Sequence, residues 1–428
     1  MRRLPRVLIV VIAIVFLANI AFAGGVGDAV TRAANRLVSQ QAANGYWAGE
    51  EDFTGSIAAG LAKAYTFSSN ASYKTAAQKA GSYIMNVSAP DYNYFGDEAY
   101  GLTCISQIQT TPLINTYRSH VTDFYTSLEY SEEGTLNYIN SQIVGTDPAN
   151  AVFYLANHVV AASYVMTKDR EIWRNALIDA LAKVNDQSAV YPVYSLGVAV
   201  WALAETGPMN LQTRVDITAP PSSIWYQKSL ADLPIMLRGQ QVAGGENAGS
   251  FYWRFDHTSG GVAGAEVSGF TEDAVFGAMG LIAAKKADMN RYNFNMAIIN
   301  AQNALAAGVG SDGKMYEHLA LAGESYNAYA GEALQVLTAP TDIPGDLNLD
   351  GEVNVGDLGI LGAYYGIQSG ALWSTGDMNG DGAVDVGDLG IMGSNYGTGG
   401  SGSIPEPATM CLLAVAGPVL LARRRQRS

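Results

Sequence analysis

Between residues 24 and 340 apolar positions recur at i, i+3 and i+4, and strictly alternating runs are scarce. That spacing lays one apolar stripe along a helix, so the region is expected to be helical. Breaks at Gly, Pro and Asn divide it into about twelve segments. They fall into pairs: 28–43 with 54–67, 71–87 with 96–109, 113–143 (broken) with 148–166, 169–185 with 191–205, 225–241 with 268–285, and 290–307 with 324–338. The second member of each pair is the more apolar and the richer in Gly and Ala, as in 195–203 and 274–284. Six helical hairpins predict an all-α fold, an α/α toroid whose second helices form an inner ring.

Beyond Pro340 the pattern changes. Two segments, 346–362 and 377–393, align without gaps at an offset of 31 residues. Each carries oxygen ligands at loop positions 1, 3, 5, 9 and 12 and a Gly at position 6. A hard cation needs that alternation, because every second side chain points inward and the Gly permits the sharp turn. The expected ligands are Asp346, Asn348, Asp350, Glu352, Asn354 and Asp357 in the first loop, and Asp377, Asn379, Asp381, Ala383, Asp385 and Asp388 in the second. Glu352 and Ala383 stand at position 7, where the backbone carbonyl is the donor. The Asp side chains at ligand positions, three in one loop and four in the other, would repel one another without a cation, so two Ca2+ ions are expected. Val353 and Val384, at position 8, are expected to join the two loops through a short strand pair.

Position 12 is Asp where the EF-hand rule has Glu, and Pro340 and Pro344 leave no helix before the first loop. A loop followed by a helix, twice, over residues 341–397 resembles the type I dockerin. That resemblance implies a cohesin-like partner, contacted at loop positions 10 and 11, here Val355-Gly356 and Val386-Gly387.

The charge is unevenly spread. The chain carries 25 basic and 39 acidic side chains, a net −14. Residues 1–23 hold three Arg and no acid, and residues 405–428 hold four Arg and one Glu. The 381 residues between them are left at −20, with no basic footprint for nucleic acid. Arg2, Arg3 and Arg6, the apolar run from Val7 and the Ala21-Phe22-Ala23 site predict a signal peptide over 1–23. A Gly/Ser linker, 398–404, precedes Pro405-Glu406-Pro407, an apolar run and the Arg423-Arg424-Arg425 cluster. This tripartite tail, 405–428, resembles the PEP-CTERM sorting signal, which implies export across the inner membrane and processing by an exosortase. The body would then lie at the cell surface or in the extracellular matrix, with the tail as a transient or lasting membrane anchor. The two cysteines, Cys104 and Cys411, cannot build a disulfide framework.

In the helical region, Gln40 followed by Gly45-Tyr46-Trp47 resembles the Gln–Gly–Trp element of terpenoid-cyclase and prenyltransferase-like toroids. The Asp-rich cyclase motifs are absent from 24–340, which argues against terpene cyclisation. The loops entering the second helices gather aromatics beside carboxylates, among them Glu50, Tyr191, Tyr194, Glu317 and Tyr329. Aromatic faces stack on sugar rings while acids accept their hydroxyls. Paired carboxylates also serve glycoside cleavage as general acid and base. The candidate catalytic residues are Glu272, Asp273, Asp97 and Glu98, and the candidate substrate-binding residues are Trp47, Tyr94, Tyr252, Trp253 and Tyr326. The competing reading is structural: acids at helix starts serve the cap and the macrodipole. The sequence therefore predicts an exported calcium-binding protein whose head binds or degrades polysaccharide, as a hydrolase or a lyase. A non-catalytic adhesion scaffold and a lipid-binding, cyclase-like toroid are the alternatives.

Overall fold

The computed structural model describes residues 25–86, 94–109, 114–128, 132–143, 145, 147–165, 170–207, 209–262, 266–289, 294–348, 352–371, 375–379 and 381–398. The expected signal peptide, the tail and Asp350 lie outside them. The chain divides into two compact units, residues 1–341 and 342–428. The fold is all-α: among the described residues, β structure is limited to isolated bridges. None of the described helices is long and apolar enough to cross a membrane.

The first unit contains α1 (25–40), α2 (Thr54–Ser68), α3 (Ala71–Asn86), α4 (Phe95–Gln107), α5 (Ile114–Leu128), α6 (Glu132–Tyr138), α7 (Pro148–Val165), α8 (Arg170–Leu181), α9 (Pro192–Glu205), α10 (Leu233–Arg238), α11 (Thr271–Lys286), α12 (Asn295–Ala307) and α13 (Asn327–Leu337). The broken segment 113–143 is α5 and α6, the latter running into a π-helical turn over Ile139–Ile143. Segment 225–241 departs most from expectation, since only α10 and a preceding 3-10 turn are helical there. A turn closed by the Tyr226 N–H on the Ser223 carbonyl, then Gln227 at a φ of 57°, interrupts the helix that the apolar spacing suggested.

The second helices of the hairpins close on themselves. α2 packs on α4, α4 on α7, α7 on α9, α9 on α11, α11 on α13, and α13 returns to α2. Outside this ring, α3, α5, α8, α10 and α12 each bridge two consecutive inner helices. Small residues make the inner contacts possible. A methyl group on Gly60 would stand 2.1 Å from the Gly331 carbonyl oxygen, and one on Gly331 would stand 2.5 Å from the Ile57 Cα. Backbone meets backbone likewise where Gly55 abuts Asp97 and where Gly197 abuts Phe276.

Two glutamines stitch a hairpin loop to the next outer helix. Gln41 Nε2 donates to the carbonyls of Gly45 in its own loop and Ala76 in α3, each at 2.9 Å. Gln241 Nε2 repeats this with Gly249 at 3.0 Å and Ala297 in α12 at 2.8 Å. Both glycines have positive φ and lie flush against the backbone of that outer helix, at Lys79 and Asn300. The working glutamine of the first copy is thus Gln41, not Gln40. The second copy escaped the sequence pattern because four more residues separate its Gln from its Gly. His158 belongs to the core. It stacks on Trp173 at 4.6 Å, meets the Tyr125 hydroxyl at 2.7 Å through Nδ1, and burial lowers its pKa to about 3.

The second unit carries α14 (Val355–Tyr364) and α15 (Val386–Asn395), each entered through an acidic loop. Among its described residues the buried apolar side chains are Leu347, Val353, Leu361, Ala371, Met378, Val384 and Met392. Val353 and Val384 do not pair with each other, contrary to the sequence reading. Val353 exchanges backbone hydrogen bonds with Gly397 and Thr398 beyond α15, and Val384 with Gly366 and Ile367 beyond α14. Each loop is therefore clasped by the chain leaving one of the helices, so the two halves interlock.

Candidate functional site

None of α2, α4, α9, α11 and α13 receives a hydrogen bond from its own N-cap side chain. At α4, α9 and α13 other parts of the ring supply what is missing. Asn157 of α7 accepts the Asp97 N–H of α4 at 3.1 Å. Asp273 of α11 accepts a backbone hydrogen bond from Tyr194 of α9. Glu50 accepts the N–H groups of Asn327 and Ala328 in α13 at 2.9 and 2.7 Å, and the Asn327 amide at 2.9 Å. The capping role anticipated for such acids is real, but it operates across the ring. Glu50→Ala is expected to cost about 2 kcal/mol by freeing these donors. A thermal midpoint unchanged from wild type would contradict that role.

The same rim concentrates acids. Asp97, Asp273 and Glu332 are all less than a tenth exposed. Burial pushes Asp97 up to about 7. It pushes Asp273 well above the carboxylate range, reinforced by the charge of Glu272 and opposed by the Tyr194 hydrogen bond. It pushes Glu332 well above the carboxylate range too, reinforced by Glu272, Asp97 and Glu50. Glu272 is open to water, yet enough protein surrounds it that burial, then Glu317, raises it too. The phenol of Tyr194 on α9 is raised first by burial and then by Glu272, Glu332, Asp97 and Asp273. These groups therefore share one electrostatic neighbourhood. Asp273 Oδ1 and Glu332 Oε2 are buried and accept no hydrogen bond from a protein donor.

Of the four expected catalytic acids, Asp97, Glu272 and Asp273 all bear on the Tyr194 phenol, while Glu98, together with Asp97, bears on that of Tyr117 in α5. Sequence reasoning missed Glu332. Its signal was the single charged residue in 328–337.

Aromatic side chains trace an arc along the rim. Ring centroids run from Phe53 to Tyr94 at 5.3 Å, on to Phe153 at 6.0 Å, to Tyr194 at 6.5 Å and to Phe276 at 5.0 Å. Tyr94 thus belongs to the arc. Trp47 does not: it is fully buried and donates its indole N–H to the Leu37 carbonyl, so it offers no face to a ligand. Tyr252 stacks flat on His257 at 3.9 Å, and Trp253 bonds the Glu266 carbonyl at 3.0 Å. Tyr326 is exposed and bonds Glu324. A recess of about 480 Å3 lined by Val242, Glu246, Asn247 and Asn300 lies elsewhere and contains none of the clustered acids.

The two acidic loops share one hydrogen-bond scheme. Asp357 Oδ1 accepts the N–H groups of Leu347 and Asn348 at 2.7 and 3.1 Å, and Oδ2 accepts that of Asn354 at 2.9 Å. Asp388 repeats it on Met378, Asn379 and Asp385 at the same distances. Asp346, Asp357, Asp377 and Asp388 are nearly inaccessible to water. Between 342 and 398 the sequence has nine acids and not one Lys, Arg or His. Buried carboxylates with no cationic side chain in the same stretch of chain call for a bound cation. Among the described residues no three acids stand as a finished metal cage. Position 3 of each loop is an amide, and each position-12 Asp is committed to backbone donors.

Residues 344–395 match the dockerin type I domain. A dockerin of this type binds Ca2+ in EF-hand-like loops, works outside the cell or on its surface, and takes a cohesin as partner. Its donor set is oxygen throughout, as Ca2+ requires. In this dockerin, Val355 and Val386 are about 70% exposed and Leu358 and Leu389 about 40%, so matched positions of α14 and α15 present the same apolar side chains. No curated protein and no solved structure matches the chain.

Proposed function

We propose that this is an exported polysaccharide-acting protein whose head binds and cleaves glycans and whose dockerin, loaded with two Ca2+ ions, fastens it to a cohesin. The convergence of Asp97, Glu272 and Glu332 on one aromatic rim carries the reading of the head. A buried carboxyl raised to about 7 keeps its proton near neutrality and can donate it to a glycosidic oxygen. Glu272, open to water, is the partner that can take a proton from an attacking water. Glu332, coupled to both, holds the charge of the group down. In the dockerin, the ligand positions named above would hold the ions, which lock the loops and so present α14 and α15 to the partner. The tail at 405–428 completes the proposal, with exosortase processing leaving the body at the surface or in the matrix.

Glycan cleavage followed by reducing-end release tests the head. Asp97→Asn and Glu272→Gln are each expected to lower turnover by about 10²–10⁴-fold. Asp97 also leaves a mark on stability. Between the ordinary carboxylate range and about 7 the folded chain holds a proton that the unfolded chain gives up. The stability tied to this group is thus complete at acid pH and is lost as pH rises through about 7. At about pH 8, Asp97→Asn is expected to stabilise the head by on the order of 1–3 kcal/mol while removing cleavage. A substitution that destabilises at that pH and spares turnover would refute the assignment.

A further inference from the structure

Resting on the glycan reading of the head, we propose that the recess beside α12 is a second, non-catalytic site that grips a short saccharide stretch through side-chain amides. The two glutamine stitches point to it. In the first copy the Gly45 N–H bonds the Ala42 carbonyl at 3.0 Å and the Ala42 N–H bonds the Tyr46 carbonyl at 2.9 Å. The second copy closes in the same way, with Gly249 on Val242 and Val242 on Ser250, each at 2.9 Å. Its four additional residues are therefore extruded from a turn that is already complete, and the stitch to α12 does not need them. That excursion, through Ala243, Glu246 and Ala248, forms one wall of the recess.

The excursion is held in place. Asn247 Nδ2 donates to the carbonyl and to the hydroxyl of Ser268, each at 3.2 Å. The Ala248 N–H bonds the Gly245 carbonyl at 3.3 Å, and the Ser250 N–H that of Asn247 at 3.0 Å. A wall fixed before a ligand arrives loses little freedom on binding. The other wall is one face of α12. Asn300, Asn303, Ala304 and Ala307 stand at i, i+3, i+4 and i+7, so they share a stripe. Gln302, on another face of this helix, is committed to the Val336 and Ala339 carbonyls. Among the described residues, no hydrogen-bond partner occupies the side chains of Asn300, Asn303 or Glu246.

The lining selects a sugar. A carboxamide sets a donor beside an acceptor, which matches two neighbouring hydroxyls, and Glu246 accepts further hydroxyls. The alanine methyls offer contact to the CH groups between them. The recess, at about 480 Å3, has the size of a small-ligand pocket, roughly 300–1,000 Å3. A peptide would instead ask for a pocket that takes a large apolar anchor. The branched apolar side chains of the lining already serve the fold: Val242 is buried, and Leu319 packs on the end of α12 at Gly308.

The test uses the full chain, with cellohexaose, mannohexaose and xylohexaose as probes. Occupancy is read from slowed amide exchange over residues 242–250. At least one hexaose is expected to protect that segment. Combining Asn300→Ala with Asn303→Ala is expected to weaken the protecting interaction about tenfold or more. Alanine is the better helix former, so the variant keeps its thermal midpoint and the loss is not unfolding. Reducing-end release from a short soluble substrate is expected to stay at the wild-type level, because the recess holds none of the clustered acids. Replacing 243–248 by the Ala43-Asn44 of the first copy keeps both closing bonds, so this shortened chain is expected to fold and to bind one hexaose fewer. Three results would each overturn the inference and leave a glycan-acting head in place: no protection of 242–250 by a chain that cleaves polysaccharide, protection that survives the double substitution, or collapse of the shortened chain. Silence in both binding and cleavage would remove the glycan reading itself.

Discussion

Chelating Ca2+ in the full chain is expected to unfold residues 344–395 and leave the helical head folded. The nine acids between 342 and 398 face no Lys, Arg or His within that stretch, and four of the Asp are buried. So short a stretch buries too little apolar surface to offset that repulsion alone. An ion held at about a thousandfold over its dissociation constant contributes roughly 4 kcal/mol per site, a large share of what so small a module can muster. Amide exchange reads this directly. The N–H groups of Leu347, Asn354, Met378 and Asp385, donated to Asp357 and Asp388, should lose protection on chelation. Amides of α2 and α11 should keep theirs. Protection in the loops that survives complete chelation would show that the module needs no ion.

Gly331→Ala is expected to open the ring where it closes. The added carbon would sit 2.5 Å from the Ile57 Cα, and Gly60→Ala would push on the Gly331 carbonyl from the other side at 2.1 Å. No rotamer relieves a clash between two backbones, so α2 and α13 must part. The cost is expected at about 3 kcal/mol or more, the upper part of the overpacking range. Gly27→Ala is the control. Gly27 lies in α1 with nothing within 4 Å of the new carbon, and a helical Gly→Ala change of that kind gains about 0.5–1 kcal/mol. Thermal unfolding followed by near-ultraviolet circular dichroism compares them. Equal midpoints would mean that the close approach at Gly331 is not needed to close the ring.

The features legible in the sequence were those written in local periodicity. Helical spacing and Gly/Ala bias separated inner from outer helices, and ungapped repetition exposed the loops. What stayed hidden depends on partners far apart in the chain. Glu50 reads as a loop acid until α13, 277 residues away, is laid beside it. Glu332 looks like a stray charge on an apolar helix until Asp97 and Glu272 arrive around the ring. Trp47 read as a sugar platform because aromatics beside acids look alike in sequence whether they face solvent or core. Val353 and Val384 seemed made for each other because they occupy equivalent positions, yet each is taken by the segment that leaves the other half's helix.

That exchange has a mechanical side. The dockerin chain comes in past Gly345, which lies against the Val353 side chain, and goes out through Thr398, which bonds the Val353 backbone. Entry and exit are fastened to the same residue. Tension applied between them would be borne at that one junction, with the second loop off the load path. The module is wired like a buckle: it should resist pulling while Gly397 and Thr398 stay engaged, and yield in sequence, first loop before second, once they let go.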